Sequence, residues 1–159
     1  MIAVTLAVAA WGWWRFQTVQ VAFFMATVAA GQALISTGLK AVVGRERPDL
    51  AHLAPWSGSS FPSGHAAAAA VFAASALVLS HRRRRGLRAL IGAGAGLVIG
   101  AVAATRALLG VHWLTDVVAG VAVGLAWFVV VAVAFGGTLM RFGEPRDEVA
   151  LAARAGGAT

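Results

Sequence analysis

Three short groups of residues have types and spacings suited to handling a phosphoryl group. They are Lys40 with Arg47 and Pro48, then Pro62-Ser63-Gly64-His65, then Arg106 with His112 and Asp116. A phosphoryl group spreads negative charge over several oxygens, and its transfer is catalysed mainly by positioning and charge stabilisation. Arg47 and Arg106 offer planar forks for two oxygens at once, while Lys40 supplies a compact point charge. His112 and Asp116 stand four apart, so a helix would put them on one face within mutual reach. A carboxylate that holds one ring nitrogen fixes the other as a lone pair aimed at phosphorus.

Pro62 to His65 precedes an apolar run, so the free backbone N–H groups of a helix start would point at the same site. Gly64 allows close backbone approach to a phosphate. Ser63 reads equally as an N-cap and as a hydroxyl donor to phosphate, and the two are compatible. The only carboxylates near these groups are Glu46, Asp49 and Asp116, too few to cage a divalent cation, so no cofactor or metal is expected. Arg45 and Glu46 read as residues solvating a loop, Asp49 as a weak tuner of the cations, and His52 and His81 as loop histidines without a role.

The elements that must carry these residues are apolar. The chain of 159 residues is 60% hydrophobic and 12% charged, far from the usual share of about 25% charged. Five apolar stretches are marked: Ile2 to Trp14, Phe16 to Leu39, His65 to Ser80, Leu87 to Leu109, and Val111 to Phe135. A helix of roughly 20 residues crosses a bilayer. The expected fold is therefore all-α: a polytopic transmembrane helix bundle with four full spans plus a short N-terminal apolar helix. Residues 1–140 form the membrane domain, and 141–159 a cytoplasmic tail expected to be disordered.

Arg15, the Arg82 to Arg85 block, and Arg141, Arg146 and Arg154 fall in loops that the positive-inside rule assigns to the cytoplasm. That threading sends Lys40, Arg45, Arg47, His65, Arg106, His112 and Asp116 to the outer face together. Ionisable residues at membrane depth are costly to keep, so such a gathering marks a site. Trp56 and Trp113 fit an outer interfacial belt, and Trp11, Trp13 and Trp14 an inner one.

The formal charge of +7 does not point to nucleic acid, because its block of arginines sits between apolar runs. With no cysteine, thiol and disulfide chemistry are excluded. Met1 to Ala10 lacks a basic region and a cleavage site, so the first stretch reads as a retained membrane segment. Gly92, Gly96 and Gly100 repeat on one helical face, as do Gly120 and Gly124. Packing inside the bundle is the favoured reading, with a homodimer through these Gly-rich faces as the alternative.

Together the three groups resemble the signature motifs of the type 2 phosphatidic acid phosphatase superfamily, over Lys40 to Asp116 in motif and most of the chain in topology. The resemblance implies His112 as nucleophile, Asp116 as its orienting partner and His65 as the acid that protonates the leaving alcohol. It implies Lys40, Arg47, Ser63, Gly64 and Arg106 as phosphate-binding residues. The implied activity is hydrolysis of a lipid phosphate or diphosphate through a phosphohistidine at the extracytoplasmic face of the cell membrane, with a membrane lipid as substrate. Two histidines with opposite protonation needs predict a bell-shaped pH profile.

Thr105 departs from the family's usual Ser before the Arg but keeps a hydroxyl. Members of this layout usually have six spans, so either the chain starts late or it is a short variant. Vanadium haloperoxidases share such a cationic site but are soluble, against the long spans here. A sugar-phosphate phosphatase and a catalytically inactive membrane relative are the remaining alternatives.

Overall fold

The computed structural model describes residues 19–49 and 57–136. They form four helices: α1 (Val19–Val43), α2 (Gly64–Leu79), α3 (Arg85–Leu108) and α4 (Leu114–Ala134). No strand occurs among the described residues, in accord with the all-α expectation. Gln20–Val43, α3 and α4 are each long and apolar enough to cross a membrane. The 16-residue α2 rises only about 24 Å, against a hydrocarbon core of about 30 Å. Three of the four expected spans thus reach full length and the Ala-rich one is shorter. The stretch from Ile2 to Trp14, the boundary at residue 140 and the 141–159 tail lie outside the described residues.

Small residues decide how α2 sits in the bundle. A Cβ added at Gly120 of α4 would strike the Ser63 carbonyl oxygen, and one at Gly124 would strike the Ala67 carbonyl oxygen. The two glycines, one turn apart, therefore let the first turns of α2 lie directly on the α4 backbone. Ala66, Ala67, Ala70 and Val71 are buried along this seam.

At the far end, Val21, Phe24, Met25 and Val28 of α1 pack with Val71, Phe128 and Val131. The Phe24 ring meets Phe128 at 6.0 Å and Phe135 at 5.5 Å, both edge to face, the arrangement that aromatic quadrupoles favour. Trp127 donates its indole N–H to the Val28 carbonyl at 3.0 Å, lying across Gly31 where any Cβ would collide with it.

α3 is peripheral, with no buried residue. A Cβ at Gly92 would stand 3.5 Å from Leu77, in ordinary contact, but one at Gly96 or Gly100 would meet nothing within 4 Å. The packing expected of the glycine faces thus holds for Gly120 and Gly124 and fails for Gly96 and Gly100. The physical reason is that α3 packs mainly against α2, touches α4 less extensively, and turns Gly96 and Gly100 away from both.

Candidate active site

Helix ends place the chemistry. α1 runs into Gly44 at φ +59°, and α3 is followed by Gly110 at φ +68°; this left-handed conformation suits glycine and ends a helix. Lys40 and Arg106 occupy the last turns of α1 and α3, where the helix dipole favours a cation. The starts of α2 and α4 come to the same end of the bundle. Ser63 N–H donates to the Asp116 carbonyl at 2.9 Å, and Ser60 N–H to the Arg45 carbonyl at 2.9 Å. The Trp113 indole N–H donates to the Glu46 carbonyl at 3.1 Å. Three stretches distant in sequence are thereby stitched into one floor.

Among the cations, Lys40 Nζ donates to the Ser59 carbonyl at 2.6 Å. Arg47 spreads its guanidinium over backbone carbonyls: Gly58 from Nε at 3.1 Å, Ser57 from Nη2 at 3.0 Å and Val111 from Nη1 at 2.5 Å. Arg47 thus joins the α1–α2 loop to the residue preceding His112. Burial pushes its pKa below the usual guanidinium range, with Asp116 opposing; an arginine stays charged regardless. Arg106 Nε is buried and has no hydrogen-bond partner, a donor position that a phosphate oxygen would satisfy.

His112 is 6% exposed and Asp116 fully buried. Their pairing differs from a simple histidine–carboxylate hydrogen bond: His112 Nδ1 lies 3.7 Å from Asp116 Oδ2 and has no hydrogen-bond partner. Asp116 Oδ2 instead accepts the Trp113 backbone N–H at 2.9 Å, the reach-back of a third-position acid at a helix start. Asp116 Oδ1 accepts from Arg45 Nη1 at 3.0 Å. The His112 pKa is lowered to about 4, first by burial, then by Arg47 and Lys40, with the Ser60 backbone and Asp116 pulling the other way. The ring is therefore neutral at physiological pH.

Ser63 is fully buried and is the N-cap of α2, its Oγ accepting from Ala66 N–H at 3.5 Å. Gly64 is the first residue of that helix. His65 follows, exposed and within electrostatic reach of Arg106 and Lys40. Since Lys40 also acts on His112, it is common to both histidines. Lys40, Arg47, Ser63, Gly64, His65, Arg106, His112 and Asp116 thus all stand at one end of the bundle.

Arg45 is the residue that sequence reasoning misplaced. Instead of solvating the loop, it binds Asp116 and the Thr115 hydroxyl at 2.8 Å and lies over the Trp113 ring, 5.5 Å from its centroid. No local pattern marks it, because its contact with Asp116 joins residues 71 apart in the chain.

The chain is similar to several known proteins. It is 38% identical over 116 residues to a lipid A 1-phosphatase of Rhizobium johnstonii, covering 66% of this chain and 43% of that one. It is 34% identical to phosphatidylglycerophosphatase B of Bacillus subtilis, covering 67% of this chain and 54% of the relative. The chain thus spans about half the length of the curated relatives it matches. The crystal structure of a transmembrane PAP2-type phosphatidylglycerolphosphate phosphatase from Bacillus subtilis superposes with a TM-score of 0.76 at 29% identity, covering 89% of this chain and 71% of that one. Aquifex aeolicus LpxE shares the fold, with a TM-score of 0.65 at 23% identity over 81% of this chain and 76% of that one. The model of the PAP2 superfamily matches residues 19–138, the stretch that holds all four helices and every motif, and on that match the chain belongs to the PAP2 superfamily.

Proposed function

We propose that the chain is an integral-membrane phosphatase that hydrolyses a lipid phosphate or diphosphate through a phosphohistidine at His112, at the extracytoplasmic face. The observation that carries this reading is the neutral, buried His112 ring set beside an anchored carboxylate and flanked by Arg47 and Lys40. An uncharged nucleophile facing fixed cations suits attack on an anionic phosphoryl group.

In the first step Nε2 of His112, the ring nitrogen turned away from Asp116, forms a bond to phosphorus while the bond from phosphorus to the lipid oxygen breaks. That oxygen keeps the electron pair, and His65 supplies its proton. In the second step His65 takes a proton from water as the water oxygen bonds to phosphorus. The N–P bond breaks, its pair returns to His112, and phosphate leaves. Lys40, Arg47, Arg106, Ser63 and the N–H groups at the start of α2 hold the phosphoryl oxygens, and Asp116 keeps the His112 ring oriented. The cations do the work that a metal does in other phosphatases.

The lipid character of the substrate is supported by the membrane-length helices and by relatives named for lipid A 1-phosphate and phosphatidylglycerophosphate. The sidedness rests on the arginines of the α2–α3 loop. The test is phosphate release by the purified protein in detergent from phosphatidate, phosphatidylglycerophosphate, polyprenyl diphosphate and lipid A. Release by the wild type and silence of His112→Ala are expected. Equal release by both proteins would overturn the role of His112, and release from none of the four would overturn the lipid phosphatase.

A further inference from the structure

α2 and α3 pack together where Gly92 meets Leu77 but leave a groove beside that contact. The groove measures about 460 Å³, and its lining includes His65, Ala69, Phe72 and Ala73 of α2 and Gly94 and Val98 of α3. Every lining residue other than His65 is apolar. The space exists because alanines of α2 face Gly94, where an added Cβ would meet nothing within 4 Å.

Three observations identify the occupant. The single polar lining group, His65, stands in the first turn of α2, so the groove reaches the end of the bundle where Lys40 and Arg106 occupy the last turns of α1 and α3. Its other wall is α3, a helix of membrane-crossing length without a buried residue, so what reaches the groove from the side is hydrocarbon. From His65 to Ala76 the α2 wall rises about 16 Å, close to the roughly 15 Å depth of one bilayer leaflet. An apolar trough as deep as one leaflet, with an anion-binding head, fits the tail of a lipid phosphate.

We propose that this groove holds the hydrocarbon tail of the lipid whose phosphate is bound beside it, and that Gly94 sets which tails fit. The inference rests on the lipid-phosphatase reading. A Cβ at 94 meets nothing within 4 Å, so a leucine there adds its bulk to the groove lining, and it replaces a poor helix former with a good one. Gly96 is the matched control, since it is equally open but is not part of the groove lining.

The experiment compares kcat/KM for dipalmitoyl and dihexanoyl forms of phosphatidate and phosphatidylglycerophosphate. Gly94→Leu is expected to lower the long-to-short ratio by about tenfold or more, the scale on which an apolar pocket discriminates, while Gly96→Leu keeps the wild-type ratio. An unchanged ratio in Gly94→Leu, or an equal fall in Gly96→Leu, overturns the proposal. A second measurement needs no turnover: a phosphatidate with a photoreactive group in its tail is cross-linked to the protein in nanodiscs and the adducts mapped. Adducts at Phe72 and Val98 support the groove. Adducts spread evenly over outward positions such as Leu97, or none at all, as when another segment of chain fills it, overturn the groove. A wild type inactive on every lipid phosphate overturns the phosphatase reading instead, and the cross-links then decide the groove alone.

Discussion

Arg45 Nη1 stands 3.0 Å from Asp116 Oδ1 and ties the loop after α1 to the first turn of α4. Asp116 is fully buried, and a buried carboxylate is costly unless paired and hydrogen-bonded. Arg45 and the Trp113 N–H supply both donors. His112 Nδ1 lies 3.7 Å from this anion, whose position is fixed by those other groups. Catalytic hydrogen bonds of this kind often tighten only when substrate is bound.

If His112 is the nucleophile, as proposed, Arg45→Ala is expected to act on kcat more than on KM, because it frees the Asp116 carboxylate beside His112 and leaves Lys40, Arg47 and Arg106 in place. Lost hydrogen bonds to charged groups cost about 1.5–3 kcal/mol, and the partly exposed Arg45 side chain places the loss of stability toward the lower value. Steady-state kinetics and thermal unfolding in detergent check both effects. A rise in KM with kcat intact would instead place Arg45 among the phosphate ligands.

The depressed His112 pKa has a sign that can be tested. Because the folded value is about 4 against an ordinary 6.5, the unfolded chain binds the extra proton between those values. This group's contribution to stability is therefore complete above about pH 6.5 and is lost as pH falls toward 4. Thermal unfolding midpoints should drop across that window in the wild type and drop less in His112→Ala.

Activity should follow the same group. Since the nucleophile must be deprotonated, the acid limb of kcat/KM is expected near pH 4 rather than 6.5. The charged groups acting on His112 are Arg47, Lys40 and Asp116. Removing a cation in Arg47→Gln should move the residual activity's acid limb upward, and an unmoved limb would contradict the electrostatic account.

The cation set also predicts the response to chelators and phosphate mimics. On the proposed reading, in which Lys40, Arg47 and Arg106 hold the phosphoryl oxygens, turnover is expected to persist in excess chelator and to be blocked by vanadate, which presents the same oxygens. Phosphate release measured with each additive checks this. Loss of activity in chelator that magnesium restores would replace the cationic mechanism with a metal-assisted one.

The length of the apolar runs and the placement of the arginines made the gathering legible in the sequence, because runs of membrane length leave few ways to thread the chain. The nearness of His112 and Asp116 was legible from their spacing, but not its form: His112 stands before the N-cap Trp113, outside α4, and its Nδ1 is 3.7 Å from Asp116 Oδ2. Which donors hold Asp116 was not legible either, since that depends on the α1–α2 loop folding back over Trp113, a non-local contact no local pattern encodes. The glycine faces show the same limit. Gly92, Gly96 and Gly100 repeat as regularly as Gly120 and Gly124, yet only contacts from another helix distinguish a packing face from an open one.

Substitutions at these glycines separate the two kinds of face. In Gly120→Ala or Gly124→Ala the new methyl meets the Ser63 or Ala67 carbonyl, backbone atoms that cannot rotate away as a side chain would. α2 must then move off α4, a strain of about 1–3 kcal/mol. Because Ser63 caps α2 and bonds to the Asp116 carbonyl, the same shift separates His65 from His112, so activity should fall along with the thermal midpoint. Gly96→Ala and Gly100→Ala meet nothing and gain up to about 1 kcal/mol of helix propensity. They should match or exceed the wild type in both measurements. If all four variants behave alike, the close seat of α2 on α4 is not what holds the two histidines in register.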